Sequence, residues 1–258
     1  MEFTDAFAQD GFFLFRSFFT TNEVRELTGL ILPAHEKWLE LNREQAAVNS
    51  NYLTSTRYMT DAAIRHKTFQ FLASAKIVQV AARLCPRGVH FLNTQLFFNP
   101  ADAARKPYWH RDMQYLGVSE EVQQDILRRD VVLHFRIPFA EDPGLEFIPG
   151  SHQRWDSRLE RAVRLEIDGH KNSEELPGMV RIAHSPGDLL IFSAHLIHRG
   201  SYGLERKSFD ILYTDFPEKT GLVAALNHFP AENDLALFEH GEIFRTVQCG
   251  DDLKRSLL

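Results

Sequence analysis

The sequence predicts a mainly β chain with flanking helices, built as a double-stranded β-helix, the jelly roll of cupin-like proteins. Two observations carry this. From residue 89 onward the texture turns to short β-rich runs at 89–98, 131–139, 145–148, 180–183, 189–192 and 209–216, separated by turn residues such as Pro143-Gly144 and Gly187-Asp188. Six runs in succession, with one helical insertion, suit an antiparallel roll and not a parallel α/β sheet. Before residue 89 the readable periodicity is mostly helical. The organisation expected is therefore one domain over 1–258, with a helical region 1–88 packed on a jelly-roll core 89–216 and an extension 217–258.

Each element has a local reason. Residues 11–19 are dense in phenylalanine and bounded by Gly11 and by Thr20-Thr21-Asn22, which suits a buried strand followed by a helix N-cap. Val24, Leu27, Leu30 and Ile31 then follow three-four spacing, so a helix is expected over 23–42, ended or kinked by Pro33. The polar stretch 49–59 reads as a loop. Thr60-Asp61 can cap a helix over 62–84, which Pro86-Arg87-Gly88 stops. The insertion 119–129 is a capped helix with acids in its first turn and arginines in its last, as the helix dipole favours. The tail 232–258 carries only a possible helix.

Composition narrows the function. A hydrophobic fraction of 44% and a charged fraction of 25% are those of an ordinary globular chain. A net charge of -6 without a basic cluster argues against nucleic acid or an anionic membrane as partner and leaves a small molecule. Cys85 and Cys249 are too few and too far apart for a disulfide framework or a structural zinc site, which suits a reducing compartment. The first twenty residues lack the basic start and unbroken apolar core of a signal peptide, and no stretch is apolar for long enough to span a bilayer. A cytoplasmic location is expected.

The chemistry centres on Tyr108-Trp109-His110-Arg111-Asp112. On a strand, positions i and i+2 face the same way, so His110 and Asp112 present an imidazole and a carboxylate together. One further histidine completes a two-His, one-carboxylate triad, which holds one face of iron(II) and leaves the other open for a bidentate co-substrate and dioxygen. The letters His110-Arg111-Asp112 also occur in kinase catalytic loops, but the Gly-rich loop, the Asp-Phe-Gly and the required Asn are missing. The third ligand comes from 185–201, where a Pro-Gly-Asp turn launches an apolar strand that delivers His195 and His198. In an antiparallel roll this strand returns beside the first ones, within reach of His110 and Asp112.

Several stretches in order resemble the phytanoyl-CoA dioxygenase family of iron(II)- and 2-oxoglutarate-dependent oxygenases. They are Phe7-Ala8-Gln9-Asp10-Gly11-Phe12, Trp109-His110-Arg111-Asp112, Gly144-Leu145-Glu146-Phe147-Ile148-Pro149-Gly150-Ser151-His152, and Gly187-Asp188 leading to His198, with Arg206 ahead of the last strand. The resemblance covers about 7–216. It implies His110, Asp112 and His198 as the iron(II) ligands, with His195 the competing choice for the third. It implies Arg206 as the anchor of the distal 2-oxoglutarate carboxylate, a role that suits a planar guanidinium with two parallel donors.

Gln95 and Asn99 fall where the family places polar groups near co-substrate or substrate, and Gln95 is assigned to the co-substrate pocket. Asn99-Pro100 departs from the family, which often has a lysine nearby. His134 and Arg136 share one strand face, the side of which stays open. His152 resembles a structural corner. The implied reaction consumes dioxygen and 2-oxoglutarate, hydroxylates an unactivated C–H bond of a small molecule, and releases succinate and carbon dioxide. Asp112 argues against halogenation, since halogenating members lack the carboxylate. The alternatives are a cupin-type metalloenzyme that is not an oxygenase, in which Arg206 is dispensable, and a non-catalytic metabolite-binding member. Segments 49–59 and 157–177, which would select a substrate, carry no motif.

Overall fold

A computed structural model describes residues 2–42 and 47–247. The chain opens with α1 (Phe3–Asp10) and β1 (Phe12–Phe15), then α2 (Thr21–Asn42). Thr20 and Glu23 cap α2 reciprocally: the Thr20 N–H donates to the Glu23 carboxylate at 2.7 Å and the Glu23 N–H to the Thr20 hydroxyl at 3.2 Å. Pro33 does not end this helix, against expectation. A proline inside a helix costs about 3 kcal/mol. Leu27, Ile31, Ala34 and Trp38 are buried on either side of it, and each large apolar side chain contributes roughly 1.5–3 kcal/mol, so the buried face wins.

Two further expectations before residue 89 are corrected. The stretch 49–59 is not all loop, because β2 (Asn49–Asn51) pairs with the edge of β3 (His90–Phe98). The single helix expected over 62–84 is two, α3 (Ala62–Leu72) and α4 (Ala75–Ala82). Asp61 caps the first as expected, accepting from the Ala63 and Ile64 N–H groups. At the break, Ala73-Ser74, the Ser74 hydroxyl donates locally to the Phe71 carbonyl, and from outside the Glu239 carboxylate accepts from the Ala75 N–H at 2.7 Å.

The roll follows with α5 (Glu120–Arg129), β4 (Val132–Pro138), β5 (Asp142–Phe147), α6 (Arg158–Arg164), β6 (Val180–His184), β7 (Leu189–Ser193), β8 (His198–Gly200), β9 (Lys207–Thr214) and α7 (Lys219–Val223). Where a helix was possible in the tail, two 3-10 turns lie at Glu232–Leu237 and Gly241–Phe244; positions 248–258, with Cys249, fall outside the described residues. Cys85 is a buried free thiol, its pKa pushed up to about 12 by burial. No described helix is long and apolar enough to cross a membrane.

The strands form two antiparallel sheets, β1-β7-β4-β9-β3-β2 and β6-β5-β8, the expected jelly roll. Residues 12–15 make an edge strand, half-buried where a buried one was expected, because β1 has a partner on one side alone. Alternation along β4 sorts its side chains. Leu133, Phe135 and Ile137 join the core that α2–α4 cover, with Leu27, Ile31, Leu72 and Ile77. Val132, His134 and Arg136 therefore face the interior of the roll, and a second apolar cluster of Leu145, Phe147, Leu190, Phe192 and Leu196 joins the two sheets there.

Gly144 sits at an irregularity in the β5–β6 pairing with φ at 103°, and a Cβ there would collide with the Ile182 carbonyl. Gly144→Ala is expected to destabilise the fold by more than about 1 kcal/mol, since alanine meets both a disfavoured backbone angle and a backbone clash. A chemical denaturation midpoint equal to that of the unsubstituted protein would contradict this.

Candidate metal centre

His110 is joined to β8 by a single antiparallel bridge, its N–H donating to the His198 carbonyl and the His198 N–H to the His110 carbonyl, each at 3.0 Å. The expected strand through the motif is absent, since Asp112 already opens a 3-10 turn, Asp112–Leu116. The same-face relation survives because Arg111 between them is extended, with φ -115° and ψ 142°. Arg111 points the other way and is fully buried. It donates to the Asp156 carboxylate at 2.9 Å and to the carbonyls of Ser151 and His195, which fastens the triplet to the body of the roll.

His110, Asp112 and His198 offer one ligand atom each, and the three atoms lie within 4.8 Å of one another. Asp112 Oδ1 is 3.5 Å from both His110 Nε2 and His198 Nε2. The Nδ1–H of His110 donates to the Tyr108 carbonyl at 3.1 Å and that of His198 to the Leu196 carbonyl at 3.0 Å. Those bonds fix the tautomer, so both Nε2 lone pairs point at the shared space. Burial pushes the His198 imidazole down to about 3 and lowers His110 as well. For Asp112, burial acts to raise the pKa, but the hydrogen bond from His134 and the neighbouring imidazoles hold the carboxyl well below the usual range. Neutral imidazoles beside an ionised carboxylate are what a bound divalent metal requires.

His195, the competing third ligand, is turned away: its Nε2 donates to the Asp130 carbonyl at 2.9 Å. Ser151 and His152 form the corner expected of them, with the Ser151 hydroxyl accepting from the Ile197 N–H at 2.8 Å and His152 packed against Gly11. Asn99 lies outside the cavity. It holds the loop before β9 through the Leu204 carbonyl at 2.7 Å and the Gly203 N–H at 3.0 Å.

The triad opens on a cavity of about 590 Å³. One end carries charge. Arg136, Asp210 and Gln95 stand side by side on β4, β9 and β3, with Arg206 close by. Arg206 is 3% exposed, yet its Nε has no hydrogen-bond partner, and its nearest carboxylate is Asp142 Oδ2 at 3.5 Å. Its guanidinium lies over Gly200, where a Cβ would come within 2.6 Å of Nη2. The other end is apolar, walled by Leu92, Val132, Ala194, Leu212, Leu222 and Val223, with the ion pair of Lys219 and Asp130 at 3.0 Å beyond.

The sequence placed His134 and Arg136 on one face without saying which way it looked. The structure puts both in the cavity wall. His134 Nε2 lies 2.8 Å from Asp112 Oδ2 and its Nδ1 2.8 Å from Asp210 Oδ2. Arg136 grips Asp210 with Nε at 2.6 Å and Nη2 at 2.8 Å. Burial acts to lower the His134 pKa, but the two carboxylates raise it to about 9.

A family model described as phytanoyl-CoA dioxygenase matches residues 7–202, which include His110, Asp112 and His198 and end before Arg206. The chain belongs to the phytanoyl-CoA dioxygenase family. It is thereby an enzyme of the 2-oxoglutarate-dependent dioxygenase class. Solved structures with the same fold include EctD from S. alaskensis, crystallised with 2-oxoglutarate and 5-hydroxyectoine, at a TM-score of 0.59 and 20% identity over 81% of this chain and 74% of that one. AviO1 from Streptomyces viridochromogenes Tue57 gives a TM-score of 0.54 and 18% identity over 82% and 92% of the two chains. The epimerase SnoN, in complex with Fe3+, alpha ketoglutarate and nogalamycin RO, gives 0.54 and 15% over 83% of each. No curated protein matches this member of the family.

Proposed function

We propose that this chain is an iron(II)- and 2-oxoglutarate-dependent hydroxylase acting on an unactivated C–H bond of a small molecule, with release of succinate and carbon dioxide. The observation that carries the reading is a shared cavity: three convergent ligand atoms open on the same space as a buried guanidinium whose Nε has no hydrogen-bond partner. Asp142 balances part of that charge from 3.5 Å without a hydrogen bond, and a carboxylate entering the cavity would supply a bonded partner. The donor set of two imidazoles and one carboxylate suits iron(II), so the residues present fit both groups. EctD and SnoN, crystallised with 2-oxoglutarate, support the pairing.

Bound iron(II) would supply activation of dioxygen coupled to decarboxylation of the 2-oxoglutarate. The chain's own residues do the rest. His110, Asp112 and His198 would hold the metal through their two imidazoles and the carboxylate. Arg206 binds the distal carboxylate of the co-substrate, and Gln95 is placed to donate in the same region. The apolar end of the cavity receives hydrocarbon and excludes water beside the metal, which supports a C–H bond as the point of attack. A metalloenzyme that is not an oxygenase would have no keto acid for Arg206 to anchor.

The test is anaerobic addition of iron(II) and then 2-oxoglutarate to the purified protein. A weak visible charge-transfer band should appear only with both present, because a keto-acid chelate needs two adjacent open positions. Folded, iron-loaded protein that gives no band would sink the reading.

A further inference from the structure

The two oxygens of Asp112 have different neighbours. Oδ1 faces the histidines of the triad at 3.5 Å from each Nε2, whereas Oδ2 is met by His134 Nε2 at 2.8 Å. We propose that His134 is a positioning residue that keeps Asp112 Oδ2 away from the metal, so that the carboxylate ligates through Oδ1 alone. This rests on the reading of His110, Asp112 and His198 as an iron(II) site.

The fixity of His134 is what gives it this role. Its other nitrogen is 2.8 Å from Asp210 Oδ2, and carboxylate oxygens at both ends can only accept, so both ring nitrogens donate. The ring stacks on Phe192 with centroids 4.5 Å apart and planes 11° from parallel. Asp210 is wholly buried and held by two bonds from Arg136, its directly paired neighbour across β4 and β9. The ring therefore has nowhere to turn, and Asp112 cannot rotate its second oxygen inward without giving up a charge-assisted bond. A carboxylate that bound through both oxygens would occupy a further position on the metal. Monodentate ligation keeps that position for co-substrate or dioxygen.

The chain of contacts runs on to the charged end of the cavity. Arg136 spends Nε and Nη2 on Asp210, and its buried Nη1 has no partner. One continuous row, Asp112–His134–Asp210–Arg136, thus links the ligand carboxylate to a guanidinium in the cavity wall.

Two substitutions separate positioning from packing. Counting bonds from Cα, an asparagine amide reaches as far as His134 Nδ1 and a glutamine amide as far as Nε2. His134→Asn keeps the contact with Asp210 and loses Asp112; His134→Gln keeps Asp112 and loses Asp210. With iron(II) bound, the affinity for 2-oxoglutarate, read anaerobically from the visible band, is expected to fall about 10- to 100-fold in His134→Asn, where the second oxygen of Asp112 is free to take the open position, and to stay within about threefold in His134→Gln. The visible band with 2-oxoglutarate should shift in the asparagine variant and not in the glutamine one. Wild-type affinity in His134→Asn, or equal losses in both variants, would overturn the proposal. A wild-type protein that binds no iron would instead overturn the function on which it rests.

Discussion

Replacement of His198 or His110 by alanine is expected to abolish 2-oxoglutarate turnover while the fold survives. Each ring lends its Nε2 to the shared space and ties its Nδ1 to a carbonyl two residues earlier, so the hydrogen bond lost with either side chain is local. The bonds that join these positions are backbone to backbone and persist in alanine. The main core lies on the far side of the six-stranded sheet, among Leu27, Ile31, Phe135 and Ile211. Loss of a ligand should therefore exceed the roughly 10- to 100-fold that removing an outer partner costs. Succinate formation and circular dichroism on each variant measure the two halves of the claim. Activity that survives in His198→Ala and disappears in His195→Ala would move the third ligand, against the orientation of His195 toward the Asp130 carbonyl.

The second large effect concerns Arg206. Once an anion sits against this buried guanidinium, removing the guanidinium leaves a carboxylate desolvated and unpaired. Arg206→Ala should raise the Michaelis constant for 2-oxoglutarate about a hundredfold, or about 2.8 kcal/mol at about 1.4 per factor of ten. Iron(II) affinity should be nearly unchanged. Arg206→Lys restores charge without the fork and should recover only part of the loss. Succinate production against 2-oxoglutarate concentration decides it. An unchanged constant would shift the anchor to Arg136, whose Nη1 is also without a partner in the cavity wall.

The strands of the roll were legible because their apolar runs are punctuated by turns, and α3 and α5 because Asp61 and Ser119 accept from their first N–H groups. What escaped was fixed by partners distant in sequence. Asn49–Asn51 has no strand propensity of its own and becomes β2 only because β3 offers an edge. The break between α3 and α4 falls at Ala73-Ser74, without proline or glycine, where Glu239 supplies the outside contact. Pro33 carried a real local signal, which burial of its neighbours overrode. In α6 the Ser157-Glu160 capping box was present in the sequence but opened a helix of only seven residues, too short for periodicity to show.

The site divided the same way. His110, Asp112 and His198 could be named from motif and order, and the geometry brings their ligand atoms together. The inward direction of His134 and Arg136 could not be read, because alternation fixes which residues share a face but not which face is covered. That became visible once α2–α4 were seen packed against Leu133, Phe135 and Ile137.

The pairing of β1 with β7 also governs how the protein comes to be. Phe12–Phe15 aligns with residues 189–192, and Arg16 meets Asp188 across 172 positions of chain. The bridge from His110 to His198 closes a loop of comparable kind. A ribosome must therefore deliver the chain as far as β7 before β1 can pair, and the early phenylalanine-rich segment waits unpaired until then. Closing such long loops is slow, so folding should be dominated by non-local search, with a reliance on chaperones while β1 is exposed. The proposed ligand set for iron is incomplete on the nascent chain until His198 emerges, which would make metal loading a late event in the life of the molecule.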